Sequence, residues 1–242
     1  MAVRPVALNA AIACLFIIGS SLFALGSVPA YVNAVGETAD SVTYFVGSIF
    51  FTAASFAQLL QAQTPAMTEV DADSQHTRAL VRFRAWLPHD RNWLAAITQF
   101  PGTIFFNIST FAALLHNVTV KQQDRRVWRP DFYGSTLFLV ASLFAILALG
   151  RLLSFRLRSF PWWIAWLNMI GSILFMASAL ASFVLPSSGE LINNPISVGG
   201  TLLGAVCFLL GAILMFPAWR RAVRAAARPL TPEDPQPQRR SQ

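Results

Sequence analysis

"NMIGSILFMASALASF", residues 168–183, sets a glycine, a hydroxyl residue, a phenylalanine and a second small residue at Gly171, Ser172, Phe175 and Ser178, in a run without a charged side chain. Positions 0, 4 and 7 counted from the glycine share one face of an α-helix, because 3.6 residues complete a turn. The helix therefore carries a stripe reading small, aromatic, small. In lipid, apolar burial cannot drive one helix against another. Small residues that let backbones approach, with dispersion and occasional hydroxyl hydrogen bonds, do that work instead.

The pattern recurs across the chain. Aligned on their glycines, the copies read "GSSLFALGS" from Gly19, "GSIFFTAAS" from Gly47, "GTIFFNIST" from Gly102, "GSTLFLVAS" from Gly134, "GSILFMASA" from Gly171 and "GTLLGAVCF" from Gly200. In this register the sixth copy alone lacks the phenylalanine, having Gly204 in its place. Each copy lies in one apolar run, at about 8–28, 42–61, 94–115, 132–150, 162–185 and 197–217, near the length a bilayer core requires. Alternate copies sit mid-span and near the start of their runs. Antiparallel hairpins would then set Gly26 near Gly47, Ser109 near Gly134 and Ser178 near Gly200. The expected fold is all-α, an integral membrane helical bundle of six transmembrane helices as three repeated hairpins.

Composition agrees. Of 242 residues, 55% are hydrophobic and 12% charged, too apolar for a soluble domain. The net charge of +7 does not point to nucleic acid, since the basic residues lie between or after the apolar runs, as membrane-flanking residues do. The first run is too long for a cleaved signal peptide and contains a copy of the pattern. Cytoplasmic N- and C-termini place fourteen basic residues inside and four outside. The outer four belong to "KQQDRRVWRPD", 121–131, read as a solvated loop or as a platform for acidic partners.

The expected organisation is a first hairpin at 1–61, a cytoplasmic connection at 62–92, further hairpins at 93–150 and 151–219, and a basic, disordered tail at 220–242. Within the connection, Arg78, Arg82 and Arg84 suit lipid phosphates, with Leu80, Val81 and Trp86 nearer the acyl chains. Asp90, Asp131, Ser159 with Pro161, and Asn194 with Pro195 are expected to open helices. Pro101 can kink segment three. Trp86, Trp93, Trp128, Trp162, Trp163 and Trp219 lie where interfacial belts are expected.

Chemistry is sparse. His76, His89 and His116 form no HExxH, and Cys14 and Cys207 form neither a CxxC pair nor a disulfide framework. GxSxG, Walker and GxGxxG templates find no match. No catalytic, metal-ligating or cofactor-binding residue is assigned, and no enzyme activity is expected. Nine glycines are assigned to helix packing: Gly19, Gly26, Gly47, Gly102, Gly134, Gly171, Gly200, Gly204 and Gly211. Ser20, Ser48, Thr103, Ser135, Ser172 and Thr201 pack helices in one reading and line a pore in the other. Asn107, mid-span in segment three, is the candidate polar intramembrane site, fixing register or contacting a solute. Gln58, Gln99 and Asn168 lie nearer the span ends.

"WWIAWLN", "GSILFMASA" and "GELINNPISVGGTLLGAVCFLLGAILMFP" over 160–217, and "CLFIIGSSLFALGS" to "YFVGSIFFTAASF" over 8–61, resemble the YrhK-like domain, a two-helix module of bacterial membrane proteins. The resemblance implies a multi-pass protein of the bacterial cell membrane and supplies no catalytic residue. Two functions follow as expectations. One is a non-enzymatic membrane component that associates through small-residue faces, above all Gly200, Gly204 and Gly211, with a second copy or another membrane protein. The other is a transporter or channel for a small neutral or lipid-like solute. Membrane lipids are expected partners of either.

Overall fold

The computed structural model describes residues 6–63, 85–115, 119–150 and 157–226. His76, His116, Arg78, Leu80, Val81, Arg82, Arg84 and the tail beyond 226 lie outside the described residues. Seven helices follow in chain order: α1 (Val6–Gly26), α2 (Pro29–Val35), α3 (Glu37–Gln63), α4 (Arg91–Ala113), α5 (Val120–Leu147), α6 (Phe160–Ala181) and α7 (Asn194–Ala226). Among the described residues the only pairing outside helices is a single antiparallel bridge, Val184 to Leu191, in the α6–α7 loop.

Five helices are long and apolar enough to cross a membrane: α1, α3, α5, α6 and α7. α4 matches them in length, with 23 residues, but Asn92, Gln99, Thr103, Asn107, Ser109 and Thr110 make it more polar. By composition the six expected spans are therefore five.

Every long helix packs on two others, and the order closes on itself: α1 on α3, α3 on α4, α4 on α5, α5 on α6, α6 on α7, and α7 back on α1. Close approach explains the glycines. A Cβ on Gly19 would lie 3.1 Å from the Gly47 carbonyl oxygen, one on Gly134 3.1 Å from that of Gly102, and one on Gly171 3.1 Å from that of Gly204. Backbone meets backbone at these three crossings, where a Cβ would require the neighbouring helix to give by a few tenths of an ångström.

This geometry corrects the sixth copy. Gly204, not Gly200, opposes Gly171, so Phe208 and Gly211 occupy positions 4 and 7 of that copy. Gly200 instead lies against the Leu174 carbonyl and Ser178, the neighbour expected for it. Gly26 meets Tyr44, one turn before Gly47, and Asp40, and Ser109 donates to the Val127 carbonyl at 2.8 Å.

Helix ends follow from side-chain chemistry. Asp90 caps α4, accepting from the amides of Asn92 and Trp93 at 2.8 and 3.3 Å. Ser159 precedes α6 without a side-chain cap bond, and Asn193 rather than Asn194 accepts the Ile196 amide at the start of α7. Asp131 does not open a helix. α5 begins earlier, at a capping box in which Thr119 and Gln122 exchange side-chain and backbone bonds. Most of "KQQDRRVWRPD" is thus helical rather than a loop, with a π turn over Asp124–Trp128 that the Arg129–Asp124 ion pair spans at 2.8 Å. α4 runs through Pro101.

Candidate functional site

The six phenylalanines at position 4, with Gly204 opening the sixth copy, are Phe23, Phe51, Phe106, Phe138, Phe175 and Phe208. They converge from all six long helices into one cluster, none more than 7% exposed. Within each hairpin the rings meet steeply: Phe23 with Phe51 at 5.4 Å, Phe106 with Phe138 at 5.1 Å and Phe175 with Phe208 at 5.1 Å. Phe51, Phe138 and Phe208 also form a triangle with centroids 5.7 to 6.4 Å apart. This triangle plugs the axis of the ring.

The hydroxyls at position 1 do not line a pore. Ser20, Ser48, Thr103, Ser135 and Ser172 are at most 1% exposed, at helix contacts. Ser48 shares a hydrogen bond with Thr110 across α3 and α4 at 2.9 Å, and Ser172 one with Ser142 across α5 and α6 at 2.8 Å. Ser20 and Ser135 are buried without a partner. Carried over to the other helix pairs, the register of Ser172 on Ser142 would place Ala212 opposite Ser20 and Ala179 opposite Ser135. A methyl at each of those positions would leave the hydroxyl without an acceptor. Thr201 lies one turn away, bonded to Ser178 at 2.7 Å, and its expected place is taken by Ala205.

Asn107 belongs to the α3–α4 seam. Its Nδ2 donates to Thr52 Oγ1 at 2.9 Å, while its Oδ1 is buried without a partner. The axis belongs to other residues. Seven positions from each phenylalanine, about 10 Å along the helix, stand Phe16, Gln58, Gln99, Ala145, Asn168 and Met215, and all six line one cavity of about 290 Å³. Phe51, Phe138 and Phe208 form its floor. Three amides thus face three apolar side chains over an aromatic base. Among the described residues no Asp, Glu, Lys or Arg lines the cavity, and the Gln58 Oε1 is buried without a hydrogen-bond partner. Gly211 opens space beside Asn168, whose Oδ1 would lie 3.4 Å from a Cβ placed there.

Beyond the phenylalanines, neighbouring helices are tied by hydrogen bonds. Ser27 bonds Tyr44 Oη at 2.8 Å, Ser178 donates to the Ser197 carbonyl at 2.6 Å, and Trp128 donates from Nε1 to the Ala179 carbonyl at 2.8 Å. The cavity lies toward the end where α3 and α5 finish.

Residues 3–63 match the family described as YrhK-like protein. The YrhK-like segment covers the α1–α3 hairpin, with Gly19 and Gly47 in contact and Phe23 on Phe51. No curated protein and no solved structure matches the chain.

The glycines expected to dock a partner are engaged within the chain. A Cβ on Gly204 would lie 2.7 Å from Phe175 Cε1 and 3.0 Å from the Gly171 carbonyl, and Gly200 and Gly211 face α6 as well. That face of α7 is occupied by its own hairpin partner.

Proposed function

We propose that the chain is a six-span membrane protein whose cavity binds, and carries between membrane faces, a small uncharged amphipathic solute. The observation that carries this reading is the cavity's described lining, without Asp, Glu, Lys or Arg and with Gln58, Gln99 and Asn168 set over the phenylalanine floor. Amides satisfy a solute that both donates and accepts hydrogen bonds, the aromatic floor accommodates its apolar part, and the volume suits a small molecule. The proposal assigns no reaction.

α4 serves as the sixth span because several of its hydroxyl and amide donors bond inside the ring: Asn107 to Thr52, Thr110 with Ser48, and Thr103 to the Phe100 carbonyl. The three glycine crossings with their phenylalanine pairs support descent from one repeated YrhK-like hairpin. An even number of spans sets both termini on one side, and the basic residues assign that side to the cytoplasm of a bacterial cell. The cavity then opens inward. Outward-facing Ile49, Ile104, Phe111, Ile173 and Leu203 suit lipid tails. Assembly with a second copy or another membrane protein would use those side chains and not the glycines.

Native mass spectrometry of the protein extracted with its own membrane tests this reading. Wild type is expected to retain a small-molecule adduct that Gly211→Leu, which projects a side chain into the cavity, excludes. An adduct unaffected by Gly211→Leu in a folded variant, or none in wild type, would count against the cavity.

A further inference from the structure

A second concavity lies outside the ring, where α6 begins and α7 approaches its end. It encloses about 510 Å³ and is lined by Leu157, Arg158, Phe160, Trp163, Leu214 and Arg221. Its construction is specific. The Arg221 guanidinium lies over the Phe160 ring, 4.2 Å from the centroid, and donates from Nη1 to the Arg158 carbonyl at 3.4 Å. Trp163 donates from Nε1 to the Leu157 carbonyl at 2.9 Å, pinning the residues that precede α6. Two cations therefore stand at the rim of a wall made of Leu214, Phe160 and Trp163.

Nothing nearby in sequence neutralises them. No Asp or Glu occurs between Asp131 and Glu190, or between Glu190 and Glu233. Among the described residues the ion pair shown is Asp124 with Arg129, at the other end of the bundle. A partner completing this site would bring negative charge at the level of the guanidiniums and apolar bulk one to two helical turns deeper.

We infer that this groove is a binding site for an anionic phospholipid of the inner leaflet, its phosphate between Arg158 and Arg221 and its acyl chain along Leu214 and Trp163. The inference rests on the membrane-spanning reading but not on the solute cavity. Trp163 supplies the amphipathic side chain favoured at the headgroup boundary, and Arg binds phosphate through a planar fork of donors. Occupancy would clamp the start of α6 to the end of α7, both rims of the cavity mouth.

The test is a native mass spectrometry titration of the full chain in neutral detergent, with phosphatidylglycerol and phosphatidylcholine of identical acyl chains. Wild type is expected to prefer phosphatidylglycerol. Arg158→Gln with Arg221→Gln should abolish the preference, at about fivefold per arginine, as for single cations near an anionic surface. Arg158→Lys with Arg221→Lys should keep most of it, and Arg125→Gln with Arg126→Gln at the other end should keep all of it. Should the double glutamine variant fail to fold, Arg158→Gln alone, at an exposed side chain, reads the same effect. Equal binding of the two lipids by wild type, unchanged preference in the glutamine variants, or equal loss in the Arg125 and Arg126 variant would overturn the site. The adduct excluded by Gly211→Leu is read separately, so failure of one reading leaves the other distinguishable.

Discussion

Replacing Gly204 by alanine tests the physical basis of the ring. The added Cβ would stand 2.7 Å from Phe175 Cε1 and 3.0 Å from the Gly171 carbonyl oxygen. Ordinary carbon contacts lie near 3.5 to 4.0 Å, so about 1 Å must be recovered. Phe175 cannot supply it by turning away, since Phe23, Phe106 and Phe208 surround it with centroids at 6.0, 5.9 and 5.1 Å. α6 and α7 must separate at their closest crossing. Overpacking of this kind costs typically 1–3 kcal/mol, so we expect a loss of about 2 kcal/mol, roughly thirtyfold in the folded-to-unfolded ratio. Gly211→Ala provides the reference. Its Cβ would meet Asn168 Oδ1 at 3.4 Å, an ordinary contact, and the same gain in helix propensity applies to both variants. Equilibrium unfolding of the full chain in micelles, followed by tryptophan fluorescence, measures the difference directly. Gly204→Ala as stable as Gly211→Ala would refute the close-crossing argument. A change in oligomeric state at unchanged monomer stability would restore the docking role first expected for this glycine.

Three further outcomes follow from named contacts. Ala212→Ser should give the buried Ser20 hydroxyl the partner that Ser142 gives Ser172, raising stability by about 0.6 kcal/mol in the same unfolding assay. Trp128→Phe keeps the ring but removes the Nε1 donor to the Ala179 carbonyl, and should cost about 1 kcal/mol. Thr119→Ala breaks the capping box at the start of α5; a loss of about 1 kcal/mol, with lowered protection of the 120–123 amides in hydrogen exchange, is expected.

The packing code was legible because it is local. Glycine, hydroxyl and phenylalanine at fixed spacing reach one helix face whatever the rest of the chain does, and five copies were read in their correct register. The sixth failed for an identifiable reason: Gly200 with Thr201 imitates the first two positions, while Phe208, four residues after Gly204, is the diagnostic side chain. Likewise, four cations in eleven residues suggested a loop at 121–131, although Thr119 and Gln122 already spelled a capping box. The cavity was not legible by the same means. Gln58, Gln99 and Asn168 each read as a polar residue near a span end, and only the packing of the helices into a ring brings them to one cavity. Asn107 looked more central because it is mid-span, but depth along a helix does not say which way a side chain faces.

The contrast between two levels of the ring separates architecture from specificity. At the glycine and phenylalanine positions all six helices carry the same residue types, because three crossings and one aromatic cluster impose the same steric demand on each. Seven residues away the demand disappears. There the helices carry Phe16, Gln58, Gln99, Ala145, Asn168 and Met215, a set without common size or polarity around a shared cavity. A structural role for that level would favour uniform apolar filling, since buried amides lacking partners cost about 1–3 kcal/mol each in protein interiors. The Gln58 oxygen carries such a cost. A solute that donates a hydrogen bond to it would remove the cost, and the same amides would then favour that solute over an apolar molecule of equal size.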